Sequence, residues 1–322
     1  MLYKFSEILD FINKKVENLE FDEKPQSLFE PIKYILALGG KRVRPALGLM
    51  AYNLYKKDIE RALPAVLAVE IFHNFTLLHD DLMDRADMRR GKDAVHIKWN
   101  DNVAILSGDA MLTEAYKEIA KVDSRYLSDA LNLFSKTATE VYCGQQYDME
   151  FEQQLDVTAE EYLEMIRLKT AVLLACALKE GAMLADASEE DADLLYDFGI
   201  NIGLAFQLMD DLLDVYGNPA TFGKKIGGDI LCNKKTFLLI CALKSEKKED
   251  LLAWINRTEY SPEDKIKAVT AIYNSLDLKG VSEKLIREYY QKGIDCLNKV
   301  SVDNPRKQEM AMLAESLLYR NS

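Results

Sequence analysis

Apolar positions along this chain recur at helical spacing almost from end to end. Leu2, Phe5, Ile8, Leu9, Ile12, Val16 and Leu19 step by threes and fours, which predicts an amphipathic helix over 2–19. Pro25 and Pro31 punctuate the next stretch, and a short second helix over 28–38 is closed by Gly39-Gly40. Pro45 is placed for the first turn of the next helix, and Pro64 opens one that reaches Asp84. The pattern continues over 103–122, 127–151, 159–183 and 191–216. Lys234-Lys235-Thr236 opens a further helix, and shorter amphipathic segments run over 249–257, 262–274, 281–300 and 308–319. β-branched residues are dispersed and period-two alternation is rare, so strands are nearly absent. With no linker, low-complexity tract or short-period repeat, the expectation is an all-α protein whose residues 1–322 form a single domain.

Composition narrows the function class. A chain of 322 residues with 48% hydrophobic content can bury a large core. The net charge of −12 argues against a general nucleic-acid or anionic-membrane binder. No uninterrupted apolar run approaches the ~18 residues of a membrane span, and the amino terminus lacks a signal-peptide core, which predicts a soluble, cytoplasmic protein. Cys143, Cys176, Cys232, Cys241 and Cys296 are scattered, and are read as reduced, small core hydrophobes.

The candidate chemistry begins where the helix from Pro64 turns acidic. Asp80 and Asp84 are four apart, so their carboxylates share one helix face while Asp81 lies about 100° round. Like charges at that spacing repel, and a divalent cation bound by paired hard oxygens is the simplest compensation. A second copy, Asp210-Asp211-Leu-Leu-Asp214, comes after another long apolar segment. Two such helices could face each other across a cavity and hold several cations. Cations cluster nearby: Gly39-Gly40-Lys41-Arg42-Val43-Arg44-Pro45 is a basic, glycine-rich turn at a helix start, suited to a diphosphate, and Arg85, Arg89, Arg90 and Lys92 come directly after the first acidic motif. His73 stands two turns before Asp80 on the same face, whereas Ile12, Phe134 and Phe237 are read as core.

Together these residues resemble the trans-isoprenyl diphosphate synthase (polyprenyl synthase) family over about residues 36–240. Five motifs carry the resemblance: the Gly39–Pro45 loop, Asp80–Asp84 with Arg89-Arg90-Gly91, Gly144-Gln145-Gln146-Tyr147-Asp148, Lys169-Thr170, and Phe206–Asp214. The resemblance implies the isoprenoid synthase fold, a bundle of antiparallel helices around a central cavity, as a homodimer. It implies condensation of isopentenyl diphosphate with an allylic diphosphate, assisted by several Mg2+ ions, about three per site. Asp80, Asp84 and Asp210 would be metal ligands, with Asp81, Asp148 and Asp214 acting through the cluster or its waters, and Asp211 belongs to the same catalytic set. Arg89, Lys169, Gln207, Lys234 and Lys224, or Lys225 in its place, would hold the allylic diphosphate. Lys41, Arg44, His73 and Arg90 would hold isopentenyl diphosphate, Gln145 is counted among the substrate-binding residues, and Thr170 with Lys169 would stabilise the carbocation.

Phe75 and Phe72, five and eight residues before Asp80, and the small Thr76 are candidates for the end of the cavity that receives the growing tail. In the family this sequence resembles, that pattern implies a short product, geranylgeranyl diphosphate slightly ahead of farnesyl diphosphate. Terpene cyclases also ionise allylic diphosphates, but typically lack the second Asp-rich motif and the glycine-rich basic loop. A non-catalytic subunit of a heteromeric synthase would be expected to have lost the acidic motifs.

Overall fold

A computed structural model of the chain describes residues 2–218 and 226–318. Helices α1 (Phe5–Glu17), α2 (Gln26–Ala37), α3 (Val43–Asn53) and α4 (Leu63–Met83) form where the apolar spacing places them. They are succeeded by short α5 (Val95–Lys98), then α6 (Asp101–Ile119) and α7 (Leu127–Glu152). Their starts are set by local chemistry: Pro64 occupies the first turn of α4, and the Asn100 side chain accepts from the Val103 amide at 2.9 Å to begin α6.

The residues read as one helix over 159–183 are two, α8 (Ala159–Ile166) and α9 (Val172–Leu184), joined by a π-helical turn at Arg167–Ala171. A Thr158–Glu161 capping box starts α8, each side chain bonding the other's backbone amide. The π turn inserts one extra residue, but residues 171–178 after it are buried without a break, so no apolar stripe is there to show the shift and periodicity alone cannot reveal it. Beyond it run α10 (Glu189–Tyr216), short α11 (Gly228–Leu231), α12 (Phe237–Leu243), α13 (Lys248–Ile255), α14 (Pro262–Ser275), α15 (Leu278–Lys299) and α16 (Asn304–Leu318).

Among the described residues the only sheet is an antiparallel pair, β1 (Met88–Arg89) with β2 (Lys92–Asp93). Two-residue strands are too short to show alternation. The turn between them places Arg90 at φ 54° and Gly91 at φ 76°, the left-handed pair that a tight hairpin requires.

The chain forms two compact units. The first comprises Met1–Lys136, Cys176–Tyr196 and Val300–Met310; the second comprises Thr137–Ala175, Asp197–Lys299 and Ala311–Ser322. Within the first, α4 packs along α6 and also against α3, and its buried side chains include Ile12, Tyr52, Val66, Phe72 and Phe134. Asp191, in the first turn of α10, accepts from the Tyr55 hydroxyl and from the Ser301 amide, tying the late segment into this unit. The second unit has its own apolar core, in which Tyr162, Leu208, Phe237, Leu251 and Tyr273 are buried together.

The segment Ile59–Met83 is apolar and long enough to cross a membrane, but two thirds of its apolar window is buried within the chain, as expected of a core helix. All five cysteines are free thiols. Their expected role as core hydrophobes holds for Cys176 and fails for Cys143, exposed on α7, and Cys232, exposed in the turn that follows Gly228–Leu231.

Candidate active site

In the first unit the acidic motif closes α4. The Asp84 amide still donates to the Asp80 carbonyl at 2.9 Å, so a full helical turn separates the two carboxylates as the spacing predicts. Asp81 turns inward. It is 1% exposed, and the β hairpin delivers Arg89 to it: the guanidinium Nε lies 2.9 and 3.0 Å from its two carboxylate oxygens, and Nη2 also contacts Oδ1. Burial pushes the Asp81 carboxyl up, and the Arg89 hydrogen bond and charge oppose that shift. The same Arg89 Nη2 stands 3.7 Å from Asp80. The motif is thereby divided: Asp81 anchors Arg89, while the more exposed Asp80 and Asp84 stand one turn apart.

The basic loop meets the hairpin. Gly40 has φ +147°, and a β-carbon there would lie 2.8 Å from the Arg90 guanidinium, so glycine lets Arg90 lie against the loop backbone. Arg42 is buried and not an anion ligand: it donates to Glu70 and, at 2.7 Å, to the Leu36 carbonyl, pinning the loop to α2 and α4. Arg44 Nη1 is 3.2 Å from His73 Nε2. An arginine can only donate, so that nitrogen accepts and the His73 ring is neutral. Burial holds His73 well below the usual range, and Arg44, Arg90, Arg89 and Arg42 add to the effect in that order. Lys41 is exposed on the same loop. This is a concentration of cations around one uncharged imidazole.

Behind Asp80, Phe75 is 6% and Phe72 0% exposed. Their ring centroids are 5.5 Å apart, Phe75 meets His79 at 4.8 Å, and Phe72 meets Phe134 at 5.5 Å. The Thr76 hydroxyl is turned back onto the His73 carbonyl at 2.8 Å.

In the second unit, Lys169 Nζ donates to Asp148 at 2.6 Å. Burial would raise the Asp148 carboxyl, but Lys169 and then Lys234 prevail and hold it below the ordinary carboxylate range. The glycine of the Gly144–Asp148 motif has a steric reason: a β-carbon on Gly144 would lie 2.3 Å from the Lys169 amide nitrogen. Gly203 does the same on the other side, where a β-carbon would lie 2.6 Å from the Ala171 Cα. Two glycines thus let α7 and α10 close on the π turn that carries Lys169 and Thr170. Gln145 is half-buried one residue beyond Gly144.

Thr170 Oγ1 donates to Gln207 Oε1 at 3.1 Å, Gln207 Nε2 donates to Asp211 Oδ1 at 3.0 Å, and the Tyr162 hydroxyl donates to Asp211 Oδ2. Burial, and then the charge of Asp229, push the Asp211 carboxyl up to about 7. Asp214 accepts from the Asp229 amide at 3.0 Å and so caps α11. Asp210 is half-buried and Lys234 exposed; the Lys234 amide donates to the Asp229 carbonyl at 2.9 Å. Lys224 and Lys225 lie outside the described residues. Sequence reasoning missed Tyr162 and Asp229. Asp229 had a signal, an acidic residue between two glycines and Lys234 just after the second acidic motif; Tyr162 had none.

Among the described residues no three carboxylate, histidine or cysteine side chains close into a ready metal cage. This fits Mg2+, which keeps several waters and binds through one or two carboxylates together with substrate phosphates. Asp80, Asp84 and Asp210 supply hard oxygens of that kind.

The polyprenyl synthetase family model matches residues 25–273. A short chain isoprenyl diphosphate synthase of Methanocaldococcus jannaschii is 40% identical over 274 residues, 84% of this chain and 83% of that protein. A geranylgeranyl diphosphate synthase of Methanosarcina mazei is 38% identical over 300 residues, covering 92% of this chain and 91% of the relative. A crystal structure of a geranylgeranyl pyrophosphate synthase matches with a TM-score of 0.94 at 41% identity, over 99% of this chain and 100% of that one.

Proposed function

The chain belongs to the polyprenyl synthetase family and is a prenyltransferase, and we propose that it joins isopentenyl diphosphate to an allylic diphosphate, giving a short linear prenyl diphosphate. Geranylgeranyl diphosphate is the favoured product and farnesyl diphosphate a close second. The observation that carries this reading is the charge layout within the first unit: Arg44 bonded to a neutral His73, with the charges of Arg90, Arg89 and Arg42 bearing on the same imidazole, suits a diphosphate.

The allylic C–O bond breaks as diphosphate departs. Magnesium, when bound, would neutralise the charge developing on that leaving group; Asp80, Asp84 and Asp210 would hold it, with Asp148 in support. By resemblance to the family, Arg89, fixed by Asp81, and Lys169, fixed by Asp148, would each donate to the departing diphosphate. They need no reorganisation as charge develops, which makes them effective in the transition state. The double bond of isopentenyl diphosphate, held on Lys41, Arg44, His73 and Arg90, attacks the allylic cation and forms the new C–C bond. Thr170, with Lys169 and nearby carbonyls, stabilises the cations, and proton loss to the released diphosphate restores a neutral chain. Gln207, whose amide is engaged at both ends, is assigned to positioning rather than to the diphosphate.

We further propose that residues 1–322 act as one polyprenyl synthase domain, as a homodimer, in the cytoplasm. Incubation with Mg2+, isopentenyl diphosphate and an allylic primer is expected to give longer linear prenyl diphosphates. Prenyl alcohols or cyclic hydrocarbons as sole products would overturn the reading.

A further inference from the structure

Four side chains of the second unit form an unbroken hydrogen-bonded line. Tyr162, 2% exposed, donates to Asp211; Gln207 donates to the other oxygen of Asp211; Thr170 donates to the carbonyl of Gln207. The direction of the line is set by the chemistry of its inner end. Both Asp211 oxygens accept, one from the Tyr162 hydroxyl and one from Gln207 Nε2, so the Gln207 amide turns its NH2 to Asp211 and its carbonyl to Thr170. The Thr170 hydroxyl must then donate to that carbonyl, and its lone pairs face away from Gln207. Asp211 itself is 5% exposed with both oxygens engaged, unlike a carboxylate presented to a metal.

Resting on the prenyl-transfer reading, we propose that Tyr162 and Asp211 are positioning residues: they fix the amide of Gln207 so that Thr170 presents lone-pair density, not its proton, to the allylic cation. A Thr170 hydroxyl rotated the other way would aim the positive end of its O–H dipole at a developing positive charge, which raises the barrier. The backbone beneath Thr170 serves the same end. The π turn sets its direction, and the close approaches at Gly144 and Gly203 hold that turn from two sides. Asp211→Asn puts one donor and one acceptor where there were two acceptors. Tyr162 can then take the acceptor and leave the donor facing Gln207, which reverses the amide and with it the Thr170 hydroxyl.

The test is a steady-state double-mutant cycle with isopentenyl diphosphate, geranyl diphosphate and Mg2+, on variants whose thermal melts show them folded. Tyr162→Phe is expected to lower kcat roughly tenfold or more while both KM values stay within about twofold, as for an interaction made only in the transition state. In a Thr170→Val background the same change should cost less than about twofold further, because its effect passes through Thr170. Should Tyr162→Phe not fold, Asp211→Asn carries the same cycle. A folded Tyr162→Phe or Asp211→Asn enzyme with wild-type kcat refutes the proposal, as does a loss that persists in full without the Thr170 hydroxyl. A wild-type protein that makes no prenyl product refutes the prenyl-transfer reading and this proposal with it; an active wild type with other variant behaviour refutes this proposal alone.

Discussion

Glu180 shows how far one residue's energetics can sit from the chemistry. It lies on α9 at 0% exposure. Burial pushes its carboxyl well above the ordinary Glu range, and the Cys176 thiol one turn earlier only partly opposes this. The folded state therefore keeps a proton that the unfolded chain releases above its own pKa near 4.5. Stability present at low pH is lost as pH rises, by about 1.4 kcal/mol per pH unit until the folded group itself ionises. Glu180→Met should be more stable than wild type at pH 8 and lose less between pH 5.5 and 8, as read by urea unfolding; parallel slopes would exclude Glu180 as the cause. At Arg44 the issue is geometry: Arg44→Lys keeps the charge but loses the planar fork, so the KM for isopentenyl diphosphate should rise roughly tenfold while that for the primer stays fixed. An equal rise in the primer's KM would place the loop on the other substrate. At this scale the sequence reveals which residue types cluster, but not which member of an Asp pair turns inward. Asp81 is buried because Arg89 reaches it from the hairpin, and Asp211 because Tyr162, 49 positions earlier, is folded against it.

Elements were legible wherever burial imposes a period. The stripes of α1, α4 and α10 could be read to within a few residues because each needs a continuous apolar face to bury. The β hairpin and the π turn left no such trace: one is four residues of strand, the other a single inserted residue. Their signals are glycines, Gly91 for the hairpin and Gly144 and Gly203 for the turn, and only a neighbouring backbone distant in sequence explains the last two. Gly144→Ala tests this. Its methyl would collide with the Lys169 amide at 2.3 Å, and relief requires moving α7 or the π turn, an overpacking cost of about 1 to 3 kcal/mol. Because the shift falls on Lys169 and Thr170, kcat should drop more than tenfold even where the protein remains folded, given the effect of a displacement of about 1 Å on positioned groups. A folded Gly144→Ala enzyme with wild-type kcat would show that the close approach is not needed for catalysis.

For the molecule as a whole, an all-α architecture was readable because strand periodicity was missing throughout, and the reaction class because five spaced motifs share one chemistry. Removal of divalent metal with a chelator should abolish turnover, with Mg2+ restoring it, and Asp80→Asn or Asp210→Asn should lower kcat by several orders of magnitude while primer binding falls less. Wild-type kcat in either variant at saturating Mg2+ would remove that carboxylate from the ligand set. Product length is the property least legible in sequence, since it depends on which aromatic ring ends the path of the tail. Phe75 lies just over one turn of α4 behind Asp80, is 6% exposed, and rests on Phe72, which is fully buried against Phe134. The growing tail, anchored by its diphosphate near Asp80, would meet Phe75 first, with Phe72 as the layer behind it. A Phe75→Ala enzyme should therefore stay folded and release longer prenyl diphosphates than wild type, read by chromatography of the dephosphorylated products. Phe72→Ala opens a cavity inside a closed aromatic stack and should cost about 3 to 5 kcal/mol of stability. If Phe75→Ala carries that stability loss instead and its products keep the wild-type length, Phe75 is core packing and the tail ends elsewhere.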